Sequence, residues 1–365
     1  FFKQKTAYEI GVRLVGSEMC IRDSSTGEFI SFGPLYREEK RPMQYTHLGK
    51  SDLKVSQIAL GLGLRGQSSA EEAQRLIEHA IDSGINFIDC ANKYRLKTDQ
   101  PDAHGSSEEI LGRVLATRRD EVVITSKVGS DVGPGPEERG CSRRHILEQA
   151  ERSLQKLRTD YIDLYLLHVF DPHTPLEETL QAMDELVQSG KVRYVGCSNY
   201  QAWQVCKGLW LADRMDWAPF ACVQNNYSLL NRNLEREMFP LIRDQQLGAM
   251  VFSPLAVGLL SGTYSPGEPP PQGTLWDLRR KEYDSVMQGA VATTLQTASE
   301  IAQKGGHALT QLAYNWVLAH EEISVAIAGA DTIEQLDDIL GAVDWKLTEE
   351  EFTELSRDFV ELMVW

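Results

Sequence analysis

Four residues carry types and spacings that could move a hydride and a proton. The stretch N-F-I-D-C-A-N-K-Y, Asn86 to Tyr94, is a short apolar run that ends on Asp89, with Tyr94 five residues later. Two later apolar runs also end on ionisable residues, V-V-I-T-S-K at Lys127 and Y-I-D-L-Y-L-L-H at His168. A carboxylate at the end of a buried strand is costly unless it is paired. A free tyrosine keeps its proton up to a pH of about 10, and a lysine cation beside the phenol favours the phenolate. A carboxylate next to the lysine keeps that cation charged and aimed. A histidine can hydrogen-bond a substrate oxygen and polarise it. Together these groups suit a carbonyl that takes hydride at carbon and a proton at oxygen. Taken singly, each reads as surface decoration or as a satisfied structural residue. Their shared strand-end placement is what argues for function.

Those placements depend on the elements around them. From Gln57 onward, short apolar runs alternate with helix-period runs. Strands are predicted at Ile58–Leu60, Asn86–Asp89, Val122–Ser126, Ile162–Leu167, Val192–Cys197, Ala221–Gln224, Ala249–Phe252 and Val325–Ala328. Helices are predicted over Ala70–Ser83, Ser107–Thr117, His145–Leu157, Leu176–Ser189, from about Gln201, and over Leu234–Gln246, Leu309–Ala319 and Ile333–Val343. Eight such units make an α/β chain with a (β/α)8 TIM barrel the natural architecture; an open doubly wound sheet is the competitor. An N-terminal β-hairpin is predicted within Met43–Ser56, turning at Gly49 to Asp52, and an extra C-terminal helix over Glu349–Phe359. In a barrel, the C-terminal strand ends share one rim, so Asp89, Lys127 and His168 meet there and Tyr94 folds over them. Two long loops, residues 95–105 and the Pro- and Gly-rich Ser265–Asp277, fall on that same rim.

Composition narrows the field. The 365 residues are 42% hydrophobic and 25% charged, ample for a large core. A net charge of -16 argues against nucleic acid or an anionic membrane as partner. Six cysteines without a CxxC pair point to free thiols in a reducing compartment. No apolar run approaches a membrane span, and no signal pattern opens the chain, so a cytoplasmic protein is expected. Nothing in the sequence bears on oligomeric state. Residues 1–24 closely resemble translated sequencing-adapter read-through. Residues 1–42 are therefore read as a disordered or artefactual tail without fixed structure, Met43 as the natural start, and residues 43–365 as one barrel.

One motif is discounted. Gly61-Leu62-Gly63-Leu64-Arg65-Gly66 matches G-x-G-x-x-G after a predicted strand, as in a Rossmann unit. The helix signal, Ser69 with Glu72, begins three residues too late, and a Rossmann reading leaves Tyr94, Lys127 and His168 unexplained. The glycines are expected to open a turn at the barrel mouth.

Over residues 43–365 the chain resembles the aldo-keto reductases. The resemblance rests on F-I-D-C-A-N-K-Y, G-S-S-E-E-I-L-G-R-V-L, V-I-T-S-K-V-G, L-R-T-D-Y-I-D-L-Y-L-L-H, G-K-V-R-Y-V-G-C-S-N-Y, V-Q-N-N-Y-S-L-L-N-R and F-S-P-L-A-V-G-L-L-S-G, in family order. It implies a barrel with NADP or NAD extended across the mouth, reducing a small-molecule carbonyl substrate. By position, Tyr94 would be proton donor, Lys127 its pKa modifier, Asp89 the lysine's partner and His168 the carbonyl-orienting group. Ser198, Asn199 and Gln224 would hold the nicotinamide carboxamide, and Tyr227 would stack on the nicotinamide. The loop through Ser253, Leu255, Gly258 and Leu260 would wrap the pyrophosphate. Gly329, Ala330, Asp331 and Gln335 would lie by the adenosine end.

This chain departs from the family at three cofactor positions. Asp331 stands where a 2′-phosphate-binding arginine is frequent, Asp338-Ile339 replaces an E-N pair, and Thr263 replaces a lysine. Asp331 would repel a 2′-phosphate or accept a bond from a bare 2′-OH. The family prior is NADPH and this motif leans to NADH, so both stand. About ten residues, Arg95–His104, are inserted after Tyr94 and would form a lip beside the substrate; Phe170 would line an apolar wall. A cofactor-binding regulatory or sensor subunit with little catalysis is the alternative of a different class. A metal-dependent hydrolase lacks a matching ligand set on other strands, and no metal is expected.

Overall fold

A computed structural model describes residues 43–362 apart from 65, 98–103 and 136, together with three strands before residue 43. The chain divides into two units, residues 1–42 and 43–365. In the first, β1 (Arg13–Val15), β2 (Glu18–Arg22) and β3 (Phe29–Phe32) form an antiparallel sheet. The expectation for the rest of residues 1–42 falls outside the described residues. In the β1–β2 pair, Arg13 lies opposite Cys20, Leu14 opposite Met19 and Val15 opposite Glu18.

In the second unit, β4 (Tyr45–His47) and β5 (Lys54–Ser56) form the expected hairpin. Its turn residue Gly49 has φ 57°, and a Cβ there would meet Gly248 N at 2.3 Å, so only glycine fits. The βα units follow. They are β6 (Ile58–Gly61) with α1 (Ala70–Asp82), β7 (Phe87–Asp89) with α2 (Ser106–Arg118), β8 (Val123–Val128) with α3 (Arg143–Leu157) and β9 (Ile162–Leu167) with α4 (Leu176–Gln188). Next come β10 (Val192–Ser198) with α5 (Ala202–Met215), β11 (Phe220–Asn226) with α6 (Leu234–Gln245) and β12 (Gly248–Phe252). Among the described residues, these strands and β13 (Val325–Ala328) close into an eight-stranded parallel barrel.

The helices form for local reasons. α1 starts at Ser69, whose side chain accepts from the Glu72 N–H, and buries Ala73, Leu76, Ile77, Ala80 and Ile81, one stripe at helical spacing. The connection after β12 holds α7 (Leu275–Leu278), α8 (Arg280–Val286) and α9 (Gly289–Gly305) before α10 (Leu309–Leu318), where the sequence reading expects only a long loop. α9 reads G-A-V-A-T-T-L-Q-T-A-S-E-I-A-Q-K-G; its buried residues Thr294, Leu295, Ala298 and Ala302 are mostly small or polar, so its apolar period is faint. α11 (Ile333–Leu340) and the extra helix α12 (Glu349–Leu355) complete the chain. α12 stops short of the expected Phe359. Arg232 Nη1 donates to the Ser356 and Asp358 carbonyls and draws the following segment back across the β11–α6 loop. Among the described residues, no helix is long and apolar enough to cross a membrane.

Two apolar layers surround the strands. The larger lies between strands and helices. The smaller fills the barrel: Ala59, Phe87, Leu164, Leu166, Cys222, Met250, Val325 and Ile327, stoppered by Leu48, Leu53 and Val55 of the hairpin. The helix layer is tight at α2 and α3. A Cβ on Gly112 would meet Lys156 O at 2.2 Å and the Leu157 carbonyl carbon at 2.9 Å, both backbone atoms. Gly112→Ala should therefore force the two helices apart and lower stability by about 1–3 kcal/mol, read as a reduced urea midpoint with unchanged m-value.

Candidate active site

Side chains alternate along a strand, so the residue two positions beyond an interior one is interior again. Stepping two residues beyond Phe87, Leu166, Cys222, Met250 and Ile327 reaches Asp89, His168, Gln224, Phe252 and Gly329. Thr125 pairs with Asp89, which puts Lys127 on the same face. Ser198 pairs with Gln224 and joins them. The apolar filling thus ends, at the C-terminal rim, in one layer of polar and aromatic groups.

Within that layer, Lys127 is wholly buried. Its Nζ donates to Asp89 Oδ2 at 2.6 Å, the Cys90 carbonyl at 3.0 Å and Tyr94 Oη at 3.4 Å. All three ammonium protons are used. Burial opposes the charge, yet the adjacent Asp89 carboxylate outweighs it and holds the lysine above its ordinary range. Gln224 Nε2 donates to the other oxygen of Asp89 at 2.8 Å, so both carboxylate oxygens are satisfied. His168 Nε2 lies 3.5 Å from Tyr94 Oη, with the rings edge to face. Burial, then the charges of Lys127 and Lys93, push His168 down to about 2, so it is neutral. Its buried Nδ1 meets no partner. The single ring proton is therefore better placed on Nε2, facing Tyr94. The loop carrying Tyr94 is tied at its base: Ser107 N–H donates to the Tyr94 carbonyl at 3.3 Å and Ser107 Oγ to the Ala91 carbonyl at 3.2 Å. The structure brings all four sequence-selected residues together.

The expected cofactor residues divide. Ser198 and Asn199 flank the mouth; Asn199 takes φ 60° and its amide donates to the His168 carbonyl at 3.0 Å. Tyr227 is a correction. It lies one position off the interior parity of β11, its ring stacks on Trp316 at 5.5 Å and 21°, and Oη donates to Glu235 at 2.7 Å. No face is left for a nicotinamide. The aromatic group that does face the mouth is Phe252, half-buried and two residues beyond Met250. Period two in G-A-M-V-F could have found it. Leu260 is a second correction: its side chain is buried in the core and its N–H donates to the Leu255 carbonyl, so it presents nothing to a diphosphate. The rest of that loop is unusual. Ser253, Ala256, Val257 and Gly258 have φ 58°, 49°, 57° and 88°. Left-handed backbone is costly for Val above all. The Ala256 N–H is taken by the Ser253 carbonyl, which leaves the adjacent Val257 and Gly258 N–H groups of the turn to meet an anion. A flat ring beside amides, followed by an N–H-lined turn, fits a nicotinamide dinucleotide.

The comparisons agree with that geometry. The model of the Aldo/keto reductase family matches residues 57–357. The chain belongs to that family. It is 33% identical over 342 residues to an L-glyceraldehyde 3-phosphate reductase of Escherichia coli O157:H7, covering 88% of this chain and 95% of the relative. It is 36% identical over 316 residues to an uncharacterized oxidoreductase of Bacillus subtilis (strain 168), covering 84% and 93%. A probable voltage-gated potassium channel subunit beta of Arabidopsis thaliana is 34% identical over 310 residues, covering 83% and 92%. Carbonyl reduction with NAD(P)H is typical of aldo-keto reductases.

In this aldo-keto reductase the discounted glycines have a task at the rim. A Cβ on Gly61 would meet Ile327 Cγ2 at 2.7 Å, and one on Gly66 the Asp331 carboxyl carbon at 2.1 Å. The glycines let β6 and the loop after it close onto Ile327 and Asp331. Gln67, unremarked in the sequence, donates from Nε2 to the Ala330 and Asp331 carbonyls at 3.2 and 3.1 Å. Gln335 Oε1 accepts from the Asp331 N–H at 2.8 Å. Phe170 packs edge-on against Tyr200 at 5.3 Å and Trp203 at 6.0 Å, an aromatic wall two residues past His168. Arg95 is half-buried on the loop leaving Tyr94.

Buried neutral histidines give stability a pH slope. His168 sits at about 2 and His320, chiefly through burial, at about 4, against about 6.5 in an unfolded chain. Below pH 6.5 the unfolded state binds protons that the fold refuses, so stability falls as pH drops from 7 to 5. His168→Gln should lessen that slope by an amount that grows as pH falls, approaching one proton (~1.4 kcal/mol per pH unit) near pH 5, in urea melts at pH 7, 6 and 5.

Proposed function

We propose that this chain reduces an aldehyde or ketone with NADH or NADPH, and oxidises the matching alcohol in reverse, with Tyr94 as proton donor. The observation that carries this reading is the chain of contacts from Asp89 through Lys127 to Tyr94, with neutral His168 on the other side of the phenol. When bound, the cofactor supplies hydride to the carbonyl carbon. His168 donates its Nε2–H to the carbonyl oxygen and fixes its position. Tyr94 passes its proton to that oxygen as negative charge develops there, and the Lys127 cation stabilises the phenolate left behind. Asp89 keeps Lys127 charged, and solvent restores the phenol proton.

Ser198 and Asn199 orient the nicotinamide carboxamide while Phe252 supports the ring. Gln224, held to Asp89 through its amide nitrogen, turns its carbonyl oxygen to the same group. The N–H groups around Val257 and Gly258 hold the diphosphate. Asp331 at the adenosine end favours NADH over NADPH by charge. The relative named as a glyceraldehyde 3-phosphate reductase makes that aldehyde the first probe of substrate. A second reading, a dinucleotide-binding regulatory subunit with little catalysis, is favoured by the relative named as a probable channel subunit.

Tyr94→Phe separates the two. On the enzymatic reading it should lower turnover of a reactive aldehyde at least about 100-fold while NADH and NADPH titrations still report binding. Undiminished turnover would refute Tyr94 as donor. Wild-type protein that binds dinucleotide but turns over nothing in a broad aldehyde panel would favour the subunit.

A further inference from the structure

The strained turn after β12 is closed by backbone bonds, Ala256 N–H to the Ser253 carbonyl and Leu260 N–H to the Leu255 carbonyl, and leads into a 3-10 turn at Leu259–Ser261, but none of these bonds engages the Val257 carbonyl. Left-handed backbone at Ala256, Val257 and Gly258 relaxes unless its surroundings over-determine it. One side chain reaches in from the excursion that follows. Trp276, the second residue of α7, is wholly buried, and its indole N–H donates to the Val257 carbonyl at 3.0 Å. That bond joins positions 19 residues apart, across the Pro- and Gly-rich stretch. The excursion is braced in turn. Tyr283 of α8 packs against Trp276 at 6.1 Å and Tyr264 at 5.9 Å, and its hydroxyl lies 3.3 and 3.2 Å from the Ser265 and Glu268 carbonyls. Tyr264 also lies beneath Gly258, 3.6 Å from where a Cβ would be.

We propose that Trp276 is a positioning residue for dinucleotide binding: its indole N–H pins the Val257 carbonyl and keeps residues 256–258 in the left-handed form that presents the Val257 and Gly258 N–H groups to the diphosphate. This rests on the nucleotide reading above. Trp276 touches no reacting atom. Its effect falls on affinity, while the hydride and proton steps at Tyr94 proceed unchanged once cofactor is bound. A buried indole needs an acceptor for its N–H in any setting. What marks this one is that its acceptor belongs to the β-branched residue with the least reason to stay left-handed.

A double-mutant cycle tests this with NADH and NADPH as probes in calorimetric titrations. Trp276→Phe keeps most of the ring and removes the donor. It should weaken the preferred dinucleotide about 5- to 10-fold, the factor expected for one buried hydrogen bond, with kcat at saturating cofactor essentially unchanged. Glycine accepts positive φ without strain, so in a Val257→Gly background the same change should cost less than about twofold. Unchanged affinity in the single variant, or an equal loss in both backgrounds, would overturn the proposal. Amide exchange of residues 253–260 in cofactor-free protein reads the pin separately, and Trp276→Phe should accelerate it. Acceleration together with a wild type that binds neither dinucleotide would keep the pin and overturn the nucleotide reading. Should Trp276→Phe fail to fold, Trp276→His carries the test with its ring N–H. Near-native protection of 253–260 would support the pin, and loss of protection in a folded variant would overturn it.

Discussion

The buried pair of Lys127 and Asp89 is the interaction on which the rest of the site depends. Burying an ammonium and a carboxylate costs several kcal/mol each, and their attraction repays this only with good geometry and further hydrogen bonds. Here both conditions are met. Lys127 spends its three protons on Asp89, the Cys90 carbonyl and Tyr94, and Asp89 spends its second oxygen on Gln224. Loss of either charge would leave the other stranded at the end of an apolar barrel. The Asp89 carboxylate holds Lys127 above its ordinary range against the effect of burial, and an ionised lysine beside Tyr94 is what the proposed chemistry needs. Well-packed apolar substitutes are often as stable as a buried ion pair, which supports the functional reading of these charges.

The barrel makes the arrangement possible by parity and closure. Interior positions two residues apart carry apolar filling and then the catalytic layer, and the closed sheet brings β7, β8 and the end of β9 to one rim. The rest of the rim is built from loops: the left-handed turn after β12 and the β6–α1 loop, seated on Asp331 through Gly66 and Gln67, with Gly61 close against Ile327. The proton-transfer half is held by strands and buried charge, and the nucleotide half by strained backbone and single hydrogen bonds.

That division explains what was legible in the sequence. The strands and most helices follow from period two and period 3.6, and a carboxylate, a lysine and a histidine at strand ends stand out against apolar runs. Tyr227 was placed by position from the family resemblance, and nothing local in the sequence says that Trp316 covers its ring. Phe252 was within reach by counting from Met250, but an aromatic residue at the end of an apolar strand looks like core. α9 is hidden by small and polar residues on its buried face. Gln67, Trp276 and the glycine close approaches act through partners 19 or more residues away, which local patterns do not record.

The central claim is that the Lys127 charge, held by Asp89, drives proton transfer from Tyr94. Single-turnover reduction of a reactive aldehyde by Lys127→Met, with cofactor prebound, tests it most directly. Methionine keeps the length of the side chain and removes the charge. The dinucleotide should still bind, and transfer should slow at least about 100-fold, the scale of a lost proton-transfer catalyst. Transfer at the wild-type rate from a folded, cofactor-loaded variant would contradict it.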